Sequence, residues 1–153
     1  MLRVIESFRR DDAGDWVAEL SCLHSQHVRD DPPIWPRPWV GTADGRAAKV
    51  GTELDCPLCD RLESPEGLTL VRTAGPFDAD TLPAGLRRDH RVASRTWGRL
   101  RVADGEVTFV VETDPPGRHP LIRGQEIAIP PDLPHRLEGD GPFTLSVDFL
   151  TRD

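Results

Sequence analysis

Proline and glycine interrupt this chain so often that it cannot sustain long helices. The 153 residues include 15 prolines and 13 glycines. Proline lacks the backbone donor that a helix interior needs, and glycine loses more conformational freedom on folding than any other residue. Short apolar runs separated by turn signals fill the second half, as in "GLTLVRT", "TWGRLRVA", "EVTFVVET", "QEIAIPP" and "FTLSVDFL". The chain is therefore predicted to be mainly β.

Local signals predict several turns and one short helix. "LRVIESF" and "RRDDAGDWVAEL" are typical of a hairpin with an Asp/Gly turn. Asp104 and Gly105 predict a second hairpin, because both central residues of a type I′ turn need a positive φ. "TADGRAAKVG" predicts one or two helical turns after a threonine cap. The proline-rich "DDPPIWPRPWV" predicts an extended loop that Trp35 and Trp39 pack down.

A polar segment marks a domain boundary. "LESPEG", residues 62 to 67, contains proline and glycine and lies between the last cysteine and a new apolar run. We expect a small module over residues 1–62 and a second domain over residues 68–153, whose many short strands at regular spacing are typical of a β sandwich or a small barrel. A module of about 60 residues buries little surface, so it needs a metal or another covalent or ionic staple.

The net charge and the hydropathy of the chain argue against nucleic acid and membranes as binding partners. The formal net charge is −7, so an extended basic surface for nucleic acid is not expected. No apolar run is long enough for a signal peptide or a membrane span, and we expect a cytoplasmic protein without a membrane partner. Exposed edges of small β domains often pair, which makes a homodimer an expectation.

The cysteines and two histidines concentrate in the first 60 residues. "SCLHSQHV" supplies Cys22, His24 and His27, and "DCPLCD" supplies Cys56 and Cys59. Structural zinc takes four tetrahedral nitrogen or sulfur ligands, often from C-x-x-C turns. Three cysteines and one of the two histidines would complete such a shell, and the spacing leaves open which histidine it is. Bound zinc would also stabilise the small module.

Two other interpretations of the C-x-x-C pair stand beside zinc. A redox pair of the thioredoxin type follows a strand and opens a long helix, and the surrounding sequence predicts neither. The cysteines could also be unrelated buried residues, since a free cysteine behaves as a small apolar side chain. A disulfide framework is not expected from three cysteines in a reducing compartment.

The first half resembles a small bacterial domain of unknown function, sometimes called a pressure-regulated protein. The similarity rests on "GDWVAELSCLHSQHVRDDPP", "RPWV" and "GTELDCPLCD" and covers residues 1 to about 61. Leu23 departs from the pattern, which reads Cys-Gly-His there. The resemblance implies no activity and strengthens the expectation of a metal site.

The second half contains a histidine in a recognisable context. "GQEIAIPPDLPHRLEGDG" is similar to the second motif of the cupin fold, with Gly124, Pro130 and His135 at the expected spacing and Asp132 in place of the inner glycine. In a cupin this histidine points into the barrel and binds a metal or a substrate. The resemblance therefore implies a cupin-like double-stranded β-helix barrel.

The first cupin motif is incomplete. His90 matches one of its histidines, but Val92 stands at the position of the second, and Trp97 or Gly98 stands where the glutamate is expected. The usual shell of three histidines and one glutamate is thus broken, which leaves a metal in the barrel uncertain. We take His90, Trp97 and His135 as candidate pocket residues.

Residues 75 to 150 resemble more closely the cupin-like domain that precedes the methyltransferase in the tellurite-resistance protein TehB. The shared blocks are "DADTLPAGL", "DH", "WG" and a proline followed by His135. The resemblance implies a link to tellurite or stress resistance. No glycine-rich loop for S-adenosylmethionine occurs, so methyl transfer is not expected.

Three functions follow as hypotheses. The first is a binding or sensing protein with a structural zinc and a cupin-like pocket for a small molecule or oxyanion. The second is a metal-dependent cupin enzyme, an oxygenase or isomerase, with His90 and His135 as partial metal ligands. The third is thiol chemistry on a metalloid such as tellurite by Cys56 and Cys59. The broken first motif favours the binding protein, and no complete catalytic motif is present.

Overall fold

The computed structural model describes residues 1–29 and 37–152 and divides into two units, Met1–Arg61 and Leu62–Asp153. Most of the predicted proline-rich loop, with Trp35, lies outside the described residues. Strands dominate both units, which confirms the mainly β prediction. No helix in the described ranges is long and apolar enough to cross a membrane.

The N-terminal unit is a four-stranded antiparallel sheet in the order β3-β2-β1-β4. Its elements in chain order are β1 (Leu2–Arg10), β2 (Trp16–Leu20), β3 (Ser25–His27), a 3₁₀ turn (Pro38–Gly41), α1 (Ala43–Lys49), β4 (Glu53–Asp55) and α2 (Pro57–Asp60).

Local hydrogen bonds explain the first hairpin and the first helix. The Asp11 carboxylate accepts the backbone N–H groups of Ala13 and Asp15, and Gly14 takes a φ of 83° that glycine adopts freely. The hairpin of β1 and β2 is therefore confirmed. The Thr42 hydroxyl accepts the N–H of Gly45 and caps α1, as the threonine signal predicts.

The apolar core of this unit is small. Its fully buried aliphatic side chains include Ile5, Val17, Leu20 and Val28. Trp39 packs its ring edge to face with Phe8 at 5.7 Å between centroids. A core of this size gives an isolated unit of about 60 residues little stability.

The C-terminal unit is a six-stranded sheet built around one long strand. Its strands are β5 (Thr69–Asp78), β6 (Trp97–Val111), β7 (Gly117–Ile122), β8 (Glu126–Ile129), β9 (His135–Glu138) and β10 (Phe143–Thr151), with a 3₁₀ turn at Ala84–Arg87. The order is β5-β10-β6-β7, and β8 and β9 also pair with β6. β8 lies opposite β10 along residues 98–101 of β6, and β9 lies opposite β7 along residues 108–111. The core is densest along β6 and β10, where Leu100, Phe109 and Leu145 are fully buried. A cupin-type double-stranded β-helix stays a prediction.

The predicted hairpin at Asp104 and Gly105 is wrong. β6 runs through both residues, so "TWGRLRVA" and "EVTFVVET" form one strand instead of two. Gly105 does take a positive φ of 71°, but the strand continues through it, and the pairing with β10 shifts register next to it, between Asp104 and Val102. A positive-φ glycine serves a bulge as readily as a turn, and long-range pairing decides between them.

Candidate metal centre and ligand cavity

The first half of the cysteine–histidine cluster lies in the tight turn after β2. The Leu23 N–H donates to the Leu20 carbonyl at 2.8 Å, and the Leu20 N–H donates to the His24 carbonyl at 3.0 Å. Leu23 takes a φ of 69°, the left-handed conformation that glycine adopts without strain. Its side chain is buried at 3% exposure, and this burial offsets the backbone cost. The turn directs Cys22 and His24 to the same side.

The other two cysteines of the cluster, Cys56 and Cys59, belong to the short helix α2 and its N-terminus. Cys56 is the N-cap residue, Pro57 occupies the first turn, and Cys59 lies inside the helix. β1 and β4 pair with Leu2 opposite Asp55, and the Cys56 N–H donates to the Met1 carbonyl at 2.8 Å. Pairing between distant strands therefore brings the C-x-x-C turn to the turn after β2.

Four ligand atoms converge in this place. They are the Sγ atoms of Cys22, Cys56 and Cys59 and a nitrogen of His24, and all lie within 4.8 Å of one another. The four residues are buried, with exposures between 0% and 3%, and the three cysteines form no disulfide. Among the residues that the structure describes, this is the one such group of three or more potential metal ligands.

The distances fit a tetrahedral metal ion. Zn–S bonds of about 2.3 Å and Zn–N bonds of about 2.0 Å imply S···S edges of about 3.8 Å and S···N edges of about 3.5 Å. The Cys22 and Cys56 sulfurs are 3.8 Å apart. The His24 Nδ1 atom lies 3.4 Å from the sulfurs of Cys22 and Cys56 and 3.7 Å from that of Cys59.

The electrostatics of the cluster favour a positive charge at its centre. Burial lowers the pKa of His24, but hydrogen bonds with Cys22 and Cys56 outweigh it and raise the pKa to about 9. Hydrogen bonds with Cys22 and Cys59 lower the pKa of Cys56. Contact with Cys22 raises the pKa of Cys59, because three crowded sulfurs resist a second negative charge. A divalent cation would remove that repulsion.

A buried cation lies beside the cluster. Three thiolates and a neutral imidazole around a divalent ion leave one net negative charge, which is costly to bury alone. The Arg3 guanidinium is only 6% exposed and acts to lower the pKa of Cys59, against the larger effect of Cys22. Arg3 is thus positioned to compensate the charge of a filled site.

His27 does not join the cluster. It is the last residue of β3, its side chain is 51% exposed, and its Nε2 atom lies 2.7 Å from the Asp11 carboxylate. Of the two histidines that the spacing left open, the structure brings His24 to the cysteines. It also places Cys56 and Cys59 in a closed cluster, which disfavours them as exposed reductants of a metalloid.

A cavity of about 260 Å³ lies in the C-terminal unit. Most of its lining is apolar, and the polar groups come from three side chains. The apolar walls include Phe77, Leu86, Leu100, Ile129, Leu137 and Phe149, and the polar side chains are Arg72, His90 and His135.

His90 and His135 share this cavity and contact each other. Their backbones exchange two hydrogen bonds, of 2.7 and 2.9 Å, and their rings meet edge to face at 5.4 Å. The His135 Nδ1–H group donates to the Leu133 carbonyl at 2.9 Å, which leaves Nε2 as an acceptor. Burial lowers the pKa of both histidines, so both are neutral at pH 7.

Trp97 lies outside this cavity, whereas Arg72, which no sequence pattern indicates, lines it. Trp97 is fully buried at the start of β6, opposite Leu150, and is not among the described residues that line the cavity. Arg72 lies on β5 opposite Phe149 of β10, with its guanidinium carbon 4.0 Å from the Phe149 ring centroid. No local signal reveals this pair, because it depends on pairing between strands more than 70 residues apart.

Comparisons with known proteins agree with a two-part chain. Residues 6–63 match a family described as "Protein of unknown function (DUF3565)", and residues 72–147 match the TehB-like domain. No curated protein matches the chain significantly.

Solved structures show the fold of one part. A crystal structure of a protein from E. coli strain K12 is 22% identical with a TM-score of 0.53, covering 60% of this chain and 98% of that one. TehB from Haemophilus influenzae is 22% identical with a TM-score of 0.52, covering 57% of this chain and 32% of TehB. At such identity the similarity concerns the fold alone. The chain therefore combines a part that matches a family of unknown function with a part that matches the TehB-like domain.

Proposed function

We propose that the N-terminal unit holds a single structural zinc ion through Cys22, His24, Cys56 and Cys59. The observation that carries this proposal is the match between the sulfur and nitrogen separations and the edges of a zinc tetrahedron. All four positions are taken by buried protein ligands, which is the pattern of a structural site, whereas a catalytic zinc keeps a position open for water or substrate.

Zinc binding would also supply the folding stability that the small core of this unit lacks. Its core is small, and metal binding to a structural site contributes on the order of 10 kcal/mol or more to folding. Iron and copper(I) also favour thiolates, but three sulfurs and one imidazole in a closed tetrahedron suit zinc best.

The metal content per chain, compared between variants of the two histidines, tests the proposed ligand set. After passage over a chelating resin, elemental analysis should find a single zinc in the wild type and in His27→Ala, and much less in His24→Ala. His24→Cys should regain the zinc, since four cysteines also form a structural site. Equal zinc in His24→Ala and His27→Ala would contradict the ligand set.

For the C-terminal unit we propose a cupin-like pocket that binds a small molecule or oxyanion. Support comes from a cavity of about 260 Å³ in which Arg72, His90 and His135 face an apolar lining. Because residues 72–147 match the TehB-like domain, tellurite or another stress-related oxyanion is a ligand to test. We place this binding in the cytoplasm, with a homodimer as the expected assembly.

The second candidate is a metal-dependent cupin enzyme with His90 and His135 as ligands. Their shared cavity favours it, but the described residues supply no third histidine, cysteine or carboxylate close enough to form a second cluster. The same metal analysis separates the two candidates. A second equivalent of metal in the wild type that is lost in His135→Ala would favour the enzyme.

A further inference from the structure

The cavity in the C-terminal unit has a permanent cation on an apolar wall. Arg72 stacks over Phe149, its cross-strand partner, and both residues line the cavity. Stacking fixes the guanidinium plane and leaves its N–H edges free to donate. In the described part of the chain, no carboxylate lies within ion-pair distance of Arg72.

The other two polar side chains in the cavity, His90 and His135, are neutral, and they offer a ligand hydrogen bonds instead of an ion pair. The His135 ring is 3% exposed, and its Nδ1–H group is committed to the Leu133 carbonyl. The remaining nitrogen, Nε2, accepts a hydrogen bond, so it suits a hydroxyl or N–H donor better than an anion. His90 is less buried and can donate or accept according to its tautomer.

Size and lining exclude a bare oxyanion as the best fit. A volume of about 260 Å³ corresponds to about eight or nine water molecules at liquid density. An ion of tellurite's size would fill a fraction of it and leave the half-buried Phe77, Leu86 and Phe149 facing empty or hydrated space. Apolar ligand surface against these side chains contributes favourable free energy, which an inorganic ion lacks.

We propose that this cavity binds a small organic acid with an apolar body, a carboxylate for Arg72 and a hydroxyl or N–H group for His135. Arginine and carboxylate match in planar, two-point geometry, and such charge-assisted pairs are stronger than neutral hydrogen bonds. The inference deepens the proposed binding function and depends on it.

Matched acids and amides test the ligand class on the zinc-loaded full chain. The probes are 4-hydroxyphenylacetate and 3-hydroxyoctanoate, their primary amides, and tellurite, with dissociation constants measured by calorimetry or ligand-observed NMR. At least one acid should bind about tenfold more tightly than its amide, the scale of a charged hydrogen bond. Arg72→Gln should abolish that preference. Arg123→Gln, which changes an exposed arginine outside the cavity, should preserve it.

The outcomes separate this inference from the broader function. Equal binding of acids and amides, an unchanged preference in Arg72→Gln, or tighter binding of tellurite would overturn the organic-acid proposal and leave a binding pocket in place. No binding by any probe would count against both. His135→Ala adds a second readout with one further probe, phenylacetate, which lacks the hydroxyl group: the substitution should weaken binding of 4-hydroxyphenylacetate more than binding of phenylacetate.

Discussion

Asp148 shows how a charged residue is accommodated inside the C-terminal sheet. It is 2% exposed on β10, and its carboxylate accepts the Thr73 hydroxyl at 2.7 Å and the guanidinium groups of Arg99 and Arg101 at 3.0 and 3.1 Å. Burial alone would raise the pKa of Asp148, but these contacts outweigh it and the pKa is lowered. The charged form therefore stabilises the fold.

Replacing this carboxylate by an amide should cost stability in a pH-dependent way. Asp148→Asn should lower the unfolding free energy by about 1–3 kcal/mol at pH 7, because Arg99 and Arg101 lose their buried partner. A lowered folded pKa gives stability that is present above the unfolded value near 3.8 and disappears as pH falls through the folded pKa. The difference in unfolding free energy between the wild type and Asp148→Asn should therefore become smaller below about pH 4.

Urea unfolding monitored by the Trp97 indole NMR signal measures this gap at pH 7 and pH 3. The control is Asp132→Asn, which changes an exposed aspartate in the same unit and should stay within about 0.5 kcal/mol of wild type. A gap that persists undiminished at pH 3 would show that the charge of Asp148 is not the cause.

Some residues of the candidate sites follow from sequence and others need the fold. Cys22, Cys56 and Cys59 are recognisable from number and spacing alone. His24 could not be separated from His27, because the choice depends on where β2 ends and on the left-handed turn at Leu23. Arg72 and Asp148 gave no signal, since their partners lie on strands distant in sequence.

At the scale of elements, β6 is the part of the fold that sequence patterns describe least well. Asp104 and Gly105 have the composition of a hairpin turn, but β10 and β8 pair with the first part of this strand and β7 and β9 with the last part. Hydrogen bonding to four partner strands therefore keeps these residues in a continuous strand, despite their local preference for a turn. By contrast, β5, β8 and β10 coincide with the short apolar runs "GLTLVRT", "QEIAIPP" and "FTLSVDFL".

Gly105 is the position in β6 where a side chain is least tolerable. A Cβ atom there would lie 2.0 Å from the Pro142 carbonyl oxygen, and the φ is 71°. Gly105→Ala should therefore cost about 3 kcal/mol or more in urea unfolding, from the clash and the backbone strain together.

Gly124→Ala is the matched control for that substitution. Its φ is 86°, but a Cβ atom would meet nothing within 4 Å, so only the backbone cost of about 1–2 kcal/mol applies. Equal losses in the two variants would mean that β10 does not approach β6 at Gly105 as closely as the structure shows.

At the scale of the whole molecule, the two units differ in what stabilises them. The C-terminal unit buries large side chains such as Trp97, Phe109 and Leu145 along its long strands. The N-terminal unit buries fewer and places its four potential metal ligands at the junction of β2, β4 and α2. This arrangement is the basis of our proposal that a metal ion contributes more to the stability of the N-terminal unit than its apolar core does.

X-ray absorption at the zinc edge tests this central claim most directly, because it counts ligand atoms by element. We predict about three sulfur neighbours at about 2.3 Å and about one nitrogen neighbour at about 2.0 Å in the purified full chain. Loss of the nitrogen contribution in His24→Cys, with a fourth sulfur in its place, would identify the histidine. A shell of oxygen and nitrogen alone, or a chain that binds no zinc, would contradict the account.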